Sequence, residues 1–294
     1  TCPRVARRHC TGNFLARQVK LSVIHKTMKK IVDASYLRDS RLKEYLREEK
    51  SNFILFTDYA CMESFKGRSL TNISKSLEIA SEYSEQVIIL KNTGDVIKED
   101  LAYSIQNELF VDHDQTIGFR EFCFEVKAAS KGNSYLAKRL FEKSELASIE
   151  MENKKKYASL ILKGIEEFNK ELDQAFVHVL RSKQPWTSSE YDYIWRIVIE
   201  LCTLLFEKHE QVPNKYTFLK HYIFRYALSS YLLSLKWISE GGWHSYSHEK
   251  MRNDLIDMSY VAYATYFDGV LSDDKKINDI YKKSIEFIGK LSKV

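Results

Sequence analysis

The sequence predicts an α/β fold in which a parallel sheet, flanked by helices, carries a mostly α-helical insertion. Three observations lead there. Short β-branched or apolar runs lie near both ends of the chain and bracket a long middle of helical periodicity, a layout that suits one sheet with an insertion better than two independent domains. Only 10 Gly and 3 Pro occur in 294 residues, too few for a turn-rich all-β fold. Apolar residues make up 44% and aromatics 13% of the chain, enough for a sizeable core and against global disorder.

In chain order, "KKIVDAS" after Met28 is a strand that ends on Asp33. "SRLKEYLREEK" reads as a helix, with Leu42, Tyr45 and Leu46 at helical spacing. "NFILF" (52–56) is a second strand, "YACMESFKG" a helix bearing Glu63, and "QVIIL" (86–90) a third strand before the turn "NTG". From about residue 98 the pattern is helical. One apolar stripe runs from Tyr157 through Ile161, Ile165, Phe168 and Leu172 to Val179, and Pro185 ends it. Ser189 with Asp192 reads as a capping box for a helix over 190–208. After Pro213 a long helix stops at Gly241 and Gly242. A helix over "SHEKMRNDLIDMSYVAYATYF", closed by Gly269, a short strand "VLS" and a closing helix "KINDIYKKSIEFIGKL" complete the chain. The predicted organisation is therefore a basic leader at 1–27, an α/β domain at 28–97 and 246–294, and a helical insertion at 98–245.

The net charge of +5 suggests nucleic acid until its location is read. Arg4, Arg7, Arg8, Arg17, Lys20 and Lys26 lie in the first 27 residues, which hold no acid. Of 45 basic residues that leaves 39 against 40 acidic ones, a body of net charge −1. The leader is Arg-rich and acid-poor without an apolar core, unlike a signal peptide and closer to a transit peptide, a nucleic-acid arm or a non-native appendage. Met28 is then the expected natural start. Five dispersed cysteines with no CxxC pair fit reduced thiols and a cytoplasmic protein. No run of 18 apolar residues predicts a membrane span.

The chemistry-bearing residues are acids placed at element ends. Asp33 follows the first strand, Asp273 and Asp274 follow the last, and ligands of open parallel sheets gather beyond the carboxyl ends of strands. Glu63 and Asp257 sit on flanking helices. Asp254 and Asp257, three apart, share a helix face that continues through the small residues Val261 and Ala264. Carboxylates converging in a half-buried cleft must protonate or hold a cation. An all-oxygen set selects Mg²⁺ or Mn²⁺ over zinc, and the matching chemistry is metal-assisted phosphoryl hydrolysis.

The set "KKIVDAS", "FTDYACMESFKG" and "DLIDMSYVAYATYFDGVLSDDKK" resembles a PIN domain, a Rossmann-like, metal-dependent nuclease family. The resembled pattern has an Asp ending the first strand, a Glu on an early helix, an Asp on a late helix and an Asp in a T/S-x-D turn. The 17 residues from Asp257 to Asp274 and the nearness of Asp33 to Met28 match it. The resemblance covers 28–70 and 250–285 and leaves 98–245 uncovered. It implies that Asp33, Glu63, Asp257 and Asp274 are catalytic metal ligands, with Asp254 or Asp273 as spare or second-metal ligands. It also implies an endoribonuclease rather than a DNase, in a family with toxin and antiviral-defence members.

Plainer readings stand beside these. Asp268 before Gly269 suits a helix-stop turn, Asp58 an N-cap and Asp273 a cap of the last helix. His244 and His248 lack the H-E-x-x-H order of a zinc site. No P-loop, G-x-G-x-x-G or nucleophile elbow is present. The aromatics of 186–246 read mainly as core, although Lys215, Lys220, Arg225 and Lys236 could form a phosphate-facing edge. The expected partner is nucleic acid, RNA favoured, with a protein partner or second copy of the chain engaged through the helical insertion. The rival expectation is a catalytically silent PIN-like or helical scaffold.

Overall fold

The computed structural model describes residues 27–65, 69–103, 107–207, 213–241 and 246–291, so the leader up to residue 26, and His244, lie outside it. The α/β part comes first. Strand β1 (Met28–Val32) leads through α1 (Ser40–Glu48) to β2 (Asn52–Phe56). Three short helices, α2 (Asp58–Ser64), α3 (Leu70–Ser76) and α4 (Glu78–Glu82), return the chain to β3 (Val87–Ile89). Helical crossovers are what parallel strands require.

The middle is helical: α5 (Thr93–Tyr103), α6 (His113–Ser130), α7 (Ser134–Lys170), α8 (Gln174–Ser182), α9 (Ser188–Glu207) and α10 (Tyr222–Ser239). The chain closes with α11 (His248–Ala264), β4 (Val270–Leu271) and α12 (Lys275–Leu291). The four strands form one parallel sheet in the order β3-β2-β1-β4. Ile31 and Val32 pair with Val270 and Leu271, so the last strand lies beside the first. The chain leaves β1 toward β2 on one side and arrives as β4 on the other, a switch point beyond whose strand ends a crevice forms. Asp33 and the Ser272–Asp274 turn lie there.

Buried apolar side chains form one continuous cluster from the sheet into the helical middle. α10 is its axis, with Tyr222, Phe224, Tyr231 and Trp237 all enclosed, and it packs on α8, α9, α11 and α12. α11 also packs on α7 and β1. Val261 and Ala264 are fully buried in that contact, as their size on the Asp254–Asp257 face predicts.

Three local expectations shift. The apolar stripe 157–179 is divided: α7 ends at Lys170 and α8 starts at Gln174, with the Asp173 carboxylate accepting from the Ala175 amide at 2.9 Å. The capping box of α9 is Thr187 with Glu190, two residues before the expected pair, the Thr187 amide donating to Glu190 at 2.6 Å. The "NTG" turn is the first turn of α5. Gly269 stands at φ +129° between α11 and β4, a backbone state costly for any side chain.

Candidate functional site

Asp33 emerges from β1 at the sheet's centre and is almost enclosed, 6% exposed. Its amide donates to Leu271 O at 3.0 Å across the β1–β4 junction. One carboxylate oxygen accepts from Ser35 Oγ and from Ser272 Oγ, each at 2.7 Å. Ser272 Oγ also accepts the Asp274 amide at 3.1 Å. The S-x-D turn thus ties the ends of the first and last strands together through one hydroxyl.

Glu63 rides on α2, whose start is capped by Thr57 Oγ1 accepting from the Ala60 amide at 3.2 Å. The Tyr260 hydroxyl of α11 donates to Glu63 Oε2 at 3.0 Å. Asp257 precedes Tyr260 by three residues, hence on the same face of α11. Glu63 and Asp257 line one cleft of about 410 Å³ with Glu152, Glu249 and Lys155. Four carboxylates face one ammonium there.

Burial pushes the Asp257 carboxyl up to about 7; Lys276 pulls against that, and the charges of Glu63 and Asp33 add to it. The Tyr260 phenol is raised too, by burial first and then by Glu63, Asp33 and Asp257. The fields of three acids, distant in sequence, therefore meet at one place.

Lys276 is the group that sequence reasoning missed. Its Nζ lies 2.5 Å from Asp254, 3.3 Å from Asp257 and 3.4 Å from Asp274. Burial alone would lower its pKa, but Asp257, Asp254 and Asp274 hold it above the usual lysine value. A signal was present: Lys275 and Lys276 open α12, whose first turn holds no acid. Cations are unfavourable at that end of a helix, so a lysine there needs a local anionic partner.

The six predicted residues thus fall into overlapping sets. Asp33, Glu63 and Asp257 act on one another electrostatically, while Asp254, Asp257 and Asp274 share Lys276. Asp254 also accepts from Trp237 Nε1 at 3.3 Å, and Asp274 caps α12 by accepting from the Lys276 amide at 2.7 Å. Asp273 is directed elsewhere: it is half-exposed and pairs with Arg41, which also holds Asp39. Asp268 clamps β1 by accepting from the Lys29 amide at 2.9 Å. Asp58 is not the N-cap of α2; it accepts from the Thr93 amide at 2.9 Å and from Lys154 at 3.2 Å, joining α2, α5 and α7. Of the expected phosphate-facing edge, Arg225 turns inward onto the carbonyls of Leu219 and Thr265, and Lys236 pairs with Glu240 and Asp279.

Among the described residues no three His, Cys, Asp or Glu side chains stand close enough together to enclose a metal ion. The donors are nonetheless hard oxygens, and the Asp257 carboxyl is raised first by burial, with Lys276 opposing the rise and Glu63 and Asp33 adding to it. Such oxygens are the donor type that Mg²⁺ and Mn²⁺ take, but here they stand too far apart to enclose an ion, and the Lys276 ammonium is what such an ion would compete with. No protein-family model, curated protein or solved structure matches the chain.

Proposed function

We propose that the protein is a divalent-metal-dependent nuclease, with RNA as the favoured substrate, acting at the cleft between α2, α7 and α11, near the end of β1. The observation that carries the reading is Asp257, whose carboxyl is raised to about 7 by burial and by Glu63 and Asp33. Asp33, Glu63 and Asp257 would have to draw together to hold Mg²⁺ or Mn²⁺, with Asp254 and Asp274 bordering them. Bound there, the ion would supply an activated water and charge stabilisation for phosphodiester hydrolysis. Ser35 and Ser272 hold the Asp33 carboxylate in place, and Tyr260 does the same for Glu63. Asp257 can give up its proton near neutral pH, so cation binding strengthens as pH rises through about 7. Asp273 has no part in this assignment.

A second reading rests on Lys276. An ammonium that already bridges three carboxylates describes a closed, structural ion network on a catalytically silent scaffold. One set of measurements separates the two. Labelled single-stranded RNA and DNA are incubated with Mn²⁺ or EDTA. The nuclease reading expects metal-dependent cleavage of RNA that falls at least 100-fold in Asp33→Asn and Asp257→Asn. It further expects Lys276→Gln to lose roughly 3 kcal/mol of stability in EDTA, a loss that millimolar Mn²⁺ restores. Absent cleavage, with the Lys276→Gln loss unrelieved by Mn²⁺, would establish the scaffold.

A further inference from the structure

Helix α7 carries a row of large apolar side chains on its solvent side, exposed where burial is the rule for such residues. Tyr135 is 70% exposed, Leu146 66%, Ile149 60% and Leu160 48%. At 100° per residue the four fall within about 60° of one another. The core-facing residues Leu140, Ala158 and Leu162 occupy the opposite side. A stripe this long, roughly 37 Å from Tyr135 to Leu160, is unusual on the solvent face of a helix and marks a contact surface.

The spacing identifies the occupant. Tyr135 and Leu160 lie equally far from the Ala147–Ser148 peptide, and so do Leu146 and Ile149. Two polar residues on the same stripe, Glu142 and Asn153, obey the same symmetry. We propose that α7 pairs antiparallel with α7 of a second copy of this chain, about a two-fold axis level with that peptide. In this register Tyr135 meets Leu160 of the second copy, Leu146 meets Ile149, and the Glu142 carboxylate accepts from the Asn153 amide. Each contact occurs twice.

An isologous interface must be complementary to itself, and in this register apolar residues meet apolar ones and Glu142 meets Asn153. The Glu142–Asn153 pair between the apolar contacts fixes alignment. Arg139 comes opposite Lys156 in the same register; Glu125, 2.9 Å from Arg139, offsets that repulsion. The four side chains would bury on the order of 1,000 Å² across the pair, at the lower limit of specific interfaces. An interface of that size suits a reversible dimer.

Nothing in this pairing depends on the proposed activity. Sedimentation equilibrium of the full chain from 1 to 100 μM tests it. The expected result is a monomer–dimer equilibrium that weakens at least tenfold in Leu146→Glu, which places a carboxylate against Ile149 twice, while the melting temperature is unchanged. Register is read by a short thiol–thiol crosslinker. A mixture of Glu142→Cys and Asn153→Cys chains should couple efficiently, above the level of either variant alone and of the unsubstituted chain. A monomer at 100 μM, a dimer indifferent to Leu146→Glu, or equal coupling within each variant alone would overturn the pairing.

Discussion

Asp257 carries a proton at pH values where an exposed aspartate would not. It is 28% exposed at the cleft, with Asp33 and Glu63 opposing its ionisation from within. Its folded pKa of about 7 stands above the unfolded value near 4. The native state therefore binds more protons than the unfolded state across that interval. The stability this gives is complete below pH 4 and lost as pH rises to 7. Asparagine cannot ionise, so in EDTA Asp257→Asn should melt higher than the parent at pH 8, by roughly 1–3 kcal/mol, and lose that advantage at pH 4. Thermal melts at the two pH values check this. An equal or lower melting temperature at pH 8 would mean that the carboxylate is already compensated.

At the scale of elements, helix ends show how local signals compete. Ser189 and Asp192 have the right spacing for a capping box, yet α9 starts one residue before that serine, at Ser188. Thr187 and Glu190 have the same spacing, and Pro185, which bars helix from the residue before it, sits close upstream. The reciprocal contact is made by Thr187 and Glu190, with Thr187 Oγ1 also accepting from the Ser189 amide at 3.3 Å. Thr187→Ala should cost about 1 kcal/mol by chemical denaturation, and Ser189→Ala far less. The reverse order would return the cap to its expected place. The division of α7 from α8 has the same character. A 3.6-residue stripe continues through Leu172, but Asp173 turns its carboxylate back to the backbone and starts a new helix there.

Across the whole molecule, the first and last helices of the helical middle, α5 and α10, are joined by polar contacts buried inside the shared core. Asp100 of α5 and His221, which precedes α10, are both nearly inaccessible. The Asp100 carboxylate lies 3.0 Å from His221 Nδ1 and accepts from the Tyr222 amide at 2.6 Å. Asp100→Ala would leave the buried His221 Nδ1 and the buried Tyr222 amide unpaired. The expected loss is about 2–4 kcal/mol, read as one cooperative transition at lower temperature. Two separated transitions would show instead that the helical middle unfolds independently of the sheet.

Much of this was written in the chain. Alternating composition marked four short strands around a helical middle. Asp33 and Asp274, after the first and last strands, and Glu63 and Asp257, on the flanking helices, stand out because carboxylates that converge in a cleft are costly unless something neutralises them. Small residues on the Asp254–Asp257 face announced that α11 lies close to the sheet. The sequence could not assign the partners of those acids, since a carboxylate's neighbours depend on crossings between segments up to about 240 residues apart, as between Asp33 and Ser272. Only the tertiary structure sent Asp273 to Arg41, turned Arg225 inward and set Lys276 among Asp254, Asp257 and Asp274. Periodicity is a local property of the chain, whereas the electrostatic surroundings of a buried charge come from whatever the fold brings beside it.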